Sequence, residues 1–268
     1  MPKTILITGA TDGIGLVTAQ QLATQGHRVL LHGRNPEKLD RVARELTDAD
    51  GNVERYVADL SDLSQVRSLV DEVAAQHSKL DVLINNAGVL NSPRAITADG
   101  LDVRFVVNTI APYLLTQKLL PLMDASSRVV NLSSAAQSPI SLPALTGEAR
   151  TAEAFAAYSQ SKLAITKWSR GLAQSIGDSG PAIIAVNPGS LLGSKMVKQA
   201  FGMAGKDLQI GADILIRAAL SNEFATASGK YFDNDSGRFT SPHGDALDAG
   251  KVVAVVGAIE SVLSKVAR

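Results

Sequence analysis

The stretch Lys3-Thr4-Ile5-Leu6-Ile7-Thr8 runs without a break into Gly9-Ala10-Thr11-Asp12-Gly13-Ile14-Gly15. Its first part is a short apolar run rich in β-branched residues, the pattern of a buried strand. Its second part is a glycine-rich turn, and the segment that follows, Ile14–Gln25, has helical spacing. Gly9, Gly13 and Gly15 at a strand-to-helix turn let the backbone approach a diphosphate. The helix N-terminus adds free N–H groups and the positive end of its dipole. The spacing is G-x-x-x-G-x-G, not G-x-G-x-x-G, but its place directly after the first strand favours a phosphate site over an ordinary loop.

The same two periods alternate outward from this turn. Apolar runs at Arg28–His32, Val53–Val57, Val82–Asn85, Arg128–Leu132 and Ala182–Asn187 read as further strands buried on both faces. Helical spacing marks Pro36–Thr47, Leu63–Gln76, Leu101–Met123 and Ala152–Ile176, with Pro36 after Asn35 and Ser61 or Asp62 ahead of Leu63 as start signals. Six strands alternating with five helices predict an α/β fold: a doubly wound, mostly parallel sheet with helices on both faces. No linker or repeat interrupts the rhythm, so residues 1–268 read as one domain. Beyond Asn187 the pattern loosens. A substrate-loop region is expected at about 188–206, a helix at Leu208–Leu220 and a last strand at Lys230–Phe232. Phe239–Ala246 reads as irregular, and the C-terminal segment, about 239–268, as closing with a helix at Asp248–Val266.

Composition narrows the chemistry. Lys+Arg and Asp+Glu are both 26, so the formal charge is zero, which argues against nucleic acid or an anionic surface as partner. Of the 268 residues, 45% are hydrophobic and 19% charged, enough to bury a large core. There is no cysteine, so disulfides, thiol nucleophiles and thiolate metal sites are excluded. His27, His32, His77 and His243 are far apart, and no metal site is expected. The N-terminal run is too short for a signal-peptide core, and Val252–Ile259 is far below the ~18 residues that span a bilayer. The expected location is cytoplasmic.

Cofactor choice is read at the end of the second strand, Leu31-His32-Gly33-Arg34-Asn35. Dinucleotide folds often place an acid there for the ribose 2′-hydroxyl of NAD, or an arginine for a 2′-phosphate. No carboxylate is present, and Arg34 offers a planar donor fork. NADP(H) is thus favoured over NAD(H). His32 reads as a strand-end residue.

Four further features line up: Asn85-Asn86-Ala87-Gly88, Asn108 inside a helix, Asn131-Leu132-Ser133-Ser134, and Tyr158-Ser159-Gln160-Ser161-Lys162. A spacing of four puts Tyr158 and Lys162 on one helix face. With the first turn, these closely resemble the short-chain dehydrogenase/reductase family, whose fold is of Rossmann type, from Lys3 to about Gly189. The resemblance implies Tyr158 as general acid in carbonyl reduction and base in alcohol oxidation. A free tyrosine has a pKa of ~10. Lys162 and an oxidised nicotinamide are expected to lower it, Lys162 also bonding the nicotinamide ribose. Ser134 would polarise the carbonyl, with Ser133 the competing candidate. Asn108 would interrupt its helix to hold a water linking Lys162 to solvent. By matching position, Ile14 would lie against the diphosphate and the nicotinamide, Asp59 and Leu60 at the adenine, and Asn86 and Ala87 along the adenine ribose, with Thr11, Asp12 and Gly88 as further cofactor contacts. Pro188 and Gly189 would pack on nicotinamide.

Three positions depart from the family pattern. Asp12 stands where NADP-preferring members often carry a basic residue. Gly193 stands where a threonine commonly binds the carboxamide, with Ser194 or a backbone group as replacement. Ser134 and Tyr158 are 24 positions apart, which resembles the longer insertion of retinol-dehydrogenase-like members. The expected function is an NADP(H)-dependent oxidoreductase moving hydride between nicotinamide and a carbonyl or alcohol carbon. The alternative is a non-catalytic NADP sensor or scaffold on the same fold. Leu142, Leu145, Leu191, Leu192, Met196, Phe201 and Met203 suggest an apolar or mixed substrate. The long helices suggest a homodimer or homotetramer, with a monomer also open.

Overall fold

Alternation of side chains on each strand explains how both sheet faces become cores. In a computed structural model describing residues 1–49 and 51–266, Leu6, Leu30, Leu83, Val129 and Ile183 bury on one face and Ile5, Ile7, Val29, Leu31, Ile84 and Ile184 on the other. The strands are β1 (Thr4–Ile7), β2 (Arg28–Gly33), β3 (Asn52–Val57), β4 (Val82–Asn85), β5 (Arg128–Leu132), β6 (Ala182–Asn187), β7 (Tyr231–Asp233) and β8 (Arg238–Thr240). Their order is β3-β2-β1-β4-β5-β6-β7-β8, all pairings parallel except β7 with β8. The order reverses between β1 and β4, so a crevice opens at the carboxyl ends of those strands.

Helices cover both faces. α1 (Gly13–Thr24), α2 (Pro36–Thr47) and α9 (Gln209–Leu220) contribute to one core. α3 (Leu63–Gln76), α5 (Ala111–Leu119), α7 (Ala154–Ile176) and α10 (Ala249–Val266) contribute to the other. The shorter α4 (Val103–Phe105), α6 (Leu142–Leu145) and α8 (Lys195–Phe201) complete the set. Caps set several starts: Asn35 accepts from the Lys38 N–H, and Asp62 from those of Ser64 and Gln65.

The doubly wound, mostly parallel sheet agrees with the sequence pattern, and four details correct it. Among the described residues there are eight strands, because Phe239 and Thr240, read as the start of an irregular stretch, join Arg238 in pairing with β7. The segment Leu101–Met123 is not one helix. It passes from α4 through a π-helical turn at Val106–Ile110 into α5 and ends in a 3-10 turn at Leu120–Leu122. The expected start of the Tyr158 helix at Ala152 moves to Ala154. β3 is an edge strand that exposes Val57 while burying Tyr56, so it is not buried on both faces. Among the described residues, no helix is long and apolar enough to cross a membrane, and no group of three or more His, Asp or Glu could hold a metal ion.

Candidate active site

The turn after β1 is held from behind by polar side chains. The Thr8 hydroxyl accepts from the Asn86 and Ala87 N–H groups, both at 3.0 Å. The Asn86 amide donates to the Thr8 and Gly9 carbonyls at 2.7 and 3.2 Å. His32 accepts the Gly9 N–H on Nδ1, which leaves Nε2–H to donate to the Ala58 carbonyl at 3.0 Å. Burial drives the His32 pKa down to about 4, so the ring is neutral and ties the turn to the ends of β2 and β3. The strand-end reading of His32 missed this pinning role. A buried histidine directly before Gly33 was its one signal.

Bare backbone is needed here for a stated reason. A Cβ on Gly15 would lie 2.3 Å from both the Asn86 amide nitrogen and the Gly9 carbonyl oxygen. Gly9, at φ +69°, could take one only 3.0 Å from the Ala87 Cα. The first turn of α1 lines a cleft of about 900 Å³, and a helix N-terminus there fits a phosphate group. Every candidate cofactor contact lines that cleft: Gly9, Thr11, Asp12, Gly13, Ile14, Gly15, Arg34, Asp59, Leu60, Asn86, Ala87, Gly88, Tyr158, Lys162, Pro188 and Gly189. Lys38, which the sequence reading passed over, lines it beside Arg34 and Asn35. Two side chains are partly committed elsewhere. Asn86 is turned into the glycine turn, and the Asp59 carboxylate accepts from the Ser61 N–H and hydroxyl at 2.9 and 2.8 Å.

At the other end of the cleft, β5 and α7 bring the reactive groups together. Ser134 lines the cleft beside Tyr158, its hydroxyl accepting from the Ala136 N–H at 3.1 Å. Ser133 is buried, donating to the Lys162 carbonyl at 3.0 Å and paired with Thr166 at 2.7 Å. Lys162 Nζ lies 5.6 Å from the centre of the Tyr158 ring and donates to the Leu132 carbonyl at 2.8 Å. Burial lowers the Lys162 pKa to about 8. Burial also raises the Tyr158 phenol, with the Ser134 hydrogen bond pulling the other way. Of these two effects on Tyr158, desolvation is the larger.

Asn108 sits inside the π-turn, where the Ala111 N–H bonds the Val106 carbonyl five residues back. Its amide nitrogen donates to the Val89 carbonyl and the Ser161 hydroxyl, both at 2.9 Å, and its oxygen accepts from the Val89 N–H at 2.8 Å. It reaches Lys162 through neighbours: a Cβ on Gly88 would lie 3.5 Å from both Asn108 Oδ1 and Lys162 Nζ.

The loop after β6 is fixed by the β7–β8 hairpin. Asp235 accepts from the Ser190 N–H and hydroxyl and from Asn187, and Asn234 donates to the Pro188 carbonyl. Neither residue was a sequence candidate. Ser194 caps α8 by accepting from the Val197 N–H, so its hydroxyl is engaged inside the loop. Phe201, at the end of α8, packs edge-on to Phe155 at 6.3 Å, and Phe155 stacks on Tyr158 at 6.2 Å. Both phenylalanines are about half exposed, 50% and 49%, and line the cleft beside the reactive tyrosine.

The short chain dehydrogenase family model matches residues 3–205. The chain belongs to the short-chain dehydrogenase/reductase family. This family member is 34% identical over 251 residues to retinol dehydrogenase 13 of Homo sapiens, covering 86% of this chain and 76% of that one. Among solved structures it is similar to an uncharacterized protein from Mycobacterium Paratuberculosis, at TM-score 0.81 and 32% identity, over 98% of this chain and 95% of the other. It is also similar to a metagenomic short-chain oxidoreductase in complex with NADP, at TM-score 0.61 and 28% identity, over 80% and 89% of the two chains. The short-chain dehydrogenase/reductase described here is therefore an oxidoreductase enzyme of a family that uses NAD(P) and small-molecule substrates.

Proposed function

We propose that this enzyme is an NADP(H)-dependent oxidoreductase acting on a carbonyl or the corresponding alcohol, with Tyr158 as general acid and base. One observation carries the reading. Ser134, Tyr158 and Lys162 converge at one end of a cleft whose other end holds Arg34 and Lys38, with the α1 N-terminus between them. Arg34 directly after β2 and Lys38 in the first turn of α2 line the cleft while the intervening Glu37 does not, which suits a 2′-phosphate. The similar structure that holds NADP supports the same choice.

Bound nicotinamide supplies or accepts the hydride. The chain's own groups handle the oxygen and its proton. Ser134 donates a hydrogen bond to the carbonyl oxygen, and Tyr158 delivers its phenolic proton as charge develops there. Lys162, held by the Leu132 carbonyl, stabilises the resulting phenolate. Asn108 holds both Val89 backbone groups and the Ser161 hydroxyl near Lys162. In oxidation the same groups run in reverse. Phe155 and Phe201 offer an apolar wall, and the relatives named retinol dehydrogenase support an alcohol or aldehyde with an apolar body. The enzyme is expected to work in the cytoplasm.

The test is a kinetic screen of apolar aldehydes, ketones and alcohols with NADPH and NADH, repeated for Arg34→Ala and Tyr158→Phe. Turnover is expected with a preference for NADPH that Arg34→Ala removes, and Tyr158→Phe is expected to abolish it. A preference for NADH in the unmodified enzyme defeats the cofactor assignment. Tight NADPH binding with no turnover on any substrate replaces the enzyme reading with that of a sensor.

A further inference from the structure

The turn that would receive a diphosphate carries a negative charge of its own. Asp12 caps α1, its carboxylate accepting the Gly13 N–H at 2.9 Å, so it stands at the helix end where an anion has to sit. A carboxylate at that point opposes an anionic ligand. The charge is answered from a distant segment: Lys195, the first residue of α8, sets its ammonium on the Asp12 carboxylate. The neighbouring Ser194 also closes on the turn, since a Cβ on Gly13 would lie 3.8 Å from the Ser194 Cβ. Both members of the pair are well exposed, at 65% and 47%, and such a pair adds little to stability. Its placement, not its strength, is what calls for explanation.

Among the described residues that line the cleft, the cations are Arg34, Lys38, Lys162 and Lys195. Arg34 and Lys38 follow β2, and Lys162 lies beside the Tyr158 ring. Lys195 is the cation at the glycine turn. We propose that Lys195 is a phosphate-holding residue for the nicotinamide nucleotide, supplying from α8 the positive charge that Asp12 cancels in the turn. Its ammonium has three donors, so it can keep one on Asp12 and offer others to diphosphate oxygens. α8 ends at Phe201 on Phe155, so a diphosphate held by Lys195 also fixes the apolar wall beside Tyr158. The inference rests on the cofactor reading above.

Two consequences set Lys195 apart from Arg34. The diphosphate is common to NADPH and NADH, so losing Lys195 weakens both nucleotides by a similar factor. The requirement also depends on Asp12, because a neutral residue there leaves less charge to balance. The experiment is calorimetric titration of NADPH and NADH into the unmodified enzyme, Lys195→Gln, Asp12→Asn and the double variant, with melting temperatures alongside. Lys195→Gln is expected to raise both dissociation constants about tenfold at an unchanged melting temperature. The double variant is expected to recover most of that loss. The inference is overturned if Lys195→Gln binds both nucleotides like the unmodified enzyme, if its loss is confined to NADPH, or if the double variant stays as weak as Lys195→Gln. If the unmodified enzyme binds neither nucleotide, the cofactor reading falls first and takes this one with it.

Discussion

Ser133 and Ser134 are neighbours of identical chemistry, and their surroundings divide the work between them. Ser133 has its hydroxyl committed to the Lys162 carbonyl and Thr166, whereas Ser134 faces the cleft and Tyr158. Ser134→Ala is expected to lower kcat on the order of 10²–10³ with little change in melting temperature, as for loss of one oxyanion donor. Ser133→Ala is expected to do the opposite. It strands buried polar partners, costs about 1–3 kcal/mol and leaves kcat within a few-fold. Steady-state kinetics and thermal melts of both variants decide between them. His32 makes a second residue-scale prediction. Its pKa, about 4 when folded and 6.5 ordinarily, is lowered, so the folded state binds the proton less well. Above pH 6.5 both states are neutral and nothing is lost. As pH falls from 6.5 toward 4 the unfolded chain protonates first, and stability drops by about 3 kcal/mol. Denaturant unfolding across that range should show a shallower loss for His32→Gln than for the unmodified protein, and parallel curves would refute the assignment.

At the scale of elements, legibility followed burial. β1, β2, β4, β5 and β6 announce themselves as β-branched apolar runs because helices cover both of their faces, and the glycine turn is marked because Gly9 and Gly15 have no room for a side chain. The π-turn at Val106–Ile110 could not be read as such. Every residue from Val103 to Thr116 is buried, so no polar face reveals the local period. The resemblance pointed to Asn108, but its actual partners, Val89 and Ser161, lie 19 and 53 residues away. β8 was illegible for a related reason, since an edge strand of three residues carries too short a pattern. With it went the role of Asp235 under the loop after β6. Asn108→Ala removes the partner of both Val89 backbone groups. It is expected to cost about 1–3 kcal/mol and to lower kcat at least tenfold. A purely structural asparagine would leave the pH profile of kcat in place. One that positions the surroundings of Lys162 shifts it, and the profile of Asn108→Ala decides which holds.

For the whole molecule, the decisive element is the last one. α10 lays Val255, Ile259 and Val262 into the core that contains α5 and α7, and buries Val252 over Gly171. Its Glu260 accepts a hydrogen bond from Tyr113 at 2.8 Å, and Arg67 of α3 donates to the Leu263 carbonyl. Beneath it, Tyr113 meets Trp168 edge-on at 5.5 Å. The long-helix segments around α5 and α7 are those through which a homodimer or homotetramer was expected, and here the chain covers them itself. Burying four aliphatic side chains this way contributes roughly 1.5–3 kcal/mol for each, a strong preference for the closed arrangement. Size-exclusion chromatography with light scattering is therefore expected to give the mass of one chain at micromolar concentration. Ile259→Asp places a charge where α10 meets the core, which loosens the cover. That variant should shift to larger species as concentration rises, and the emission of Trp168, the sole tryptophan, should move to longer wavelength as the ring meets water. A dimer formed by the unmodified enzyme and left unchanged by Ile259→Asp would mean that association uses another face, and that α10 does not stand in for a partner.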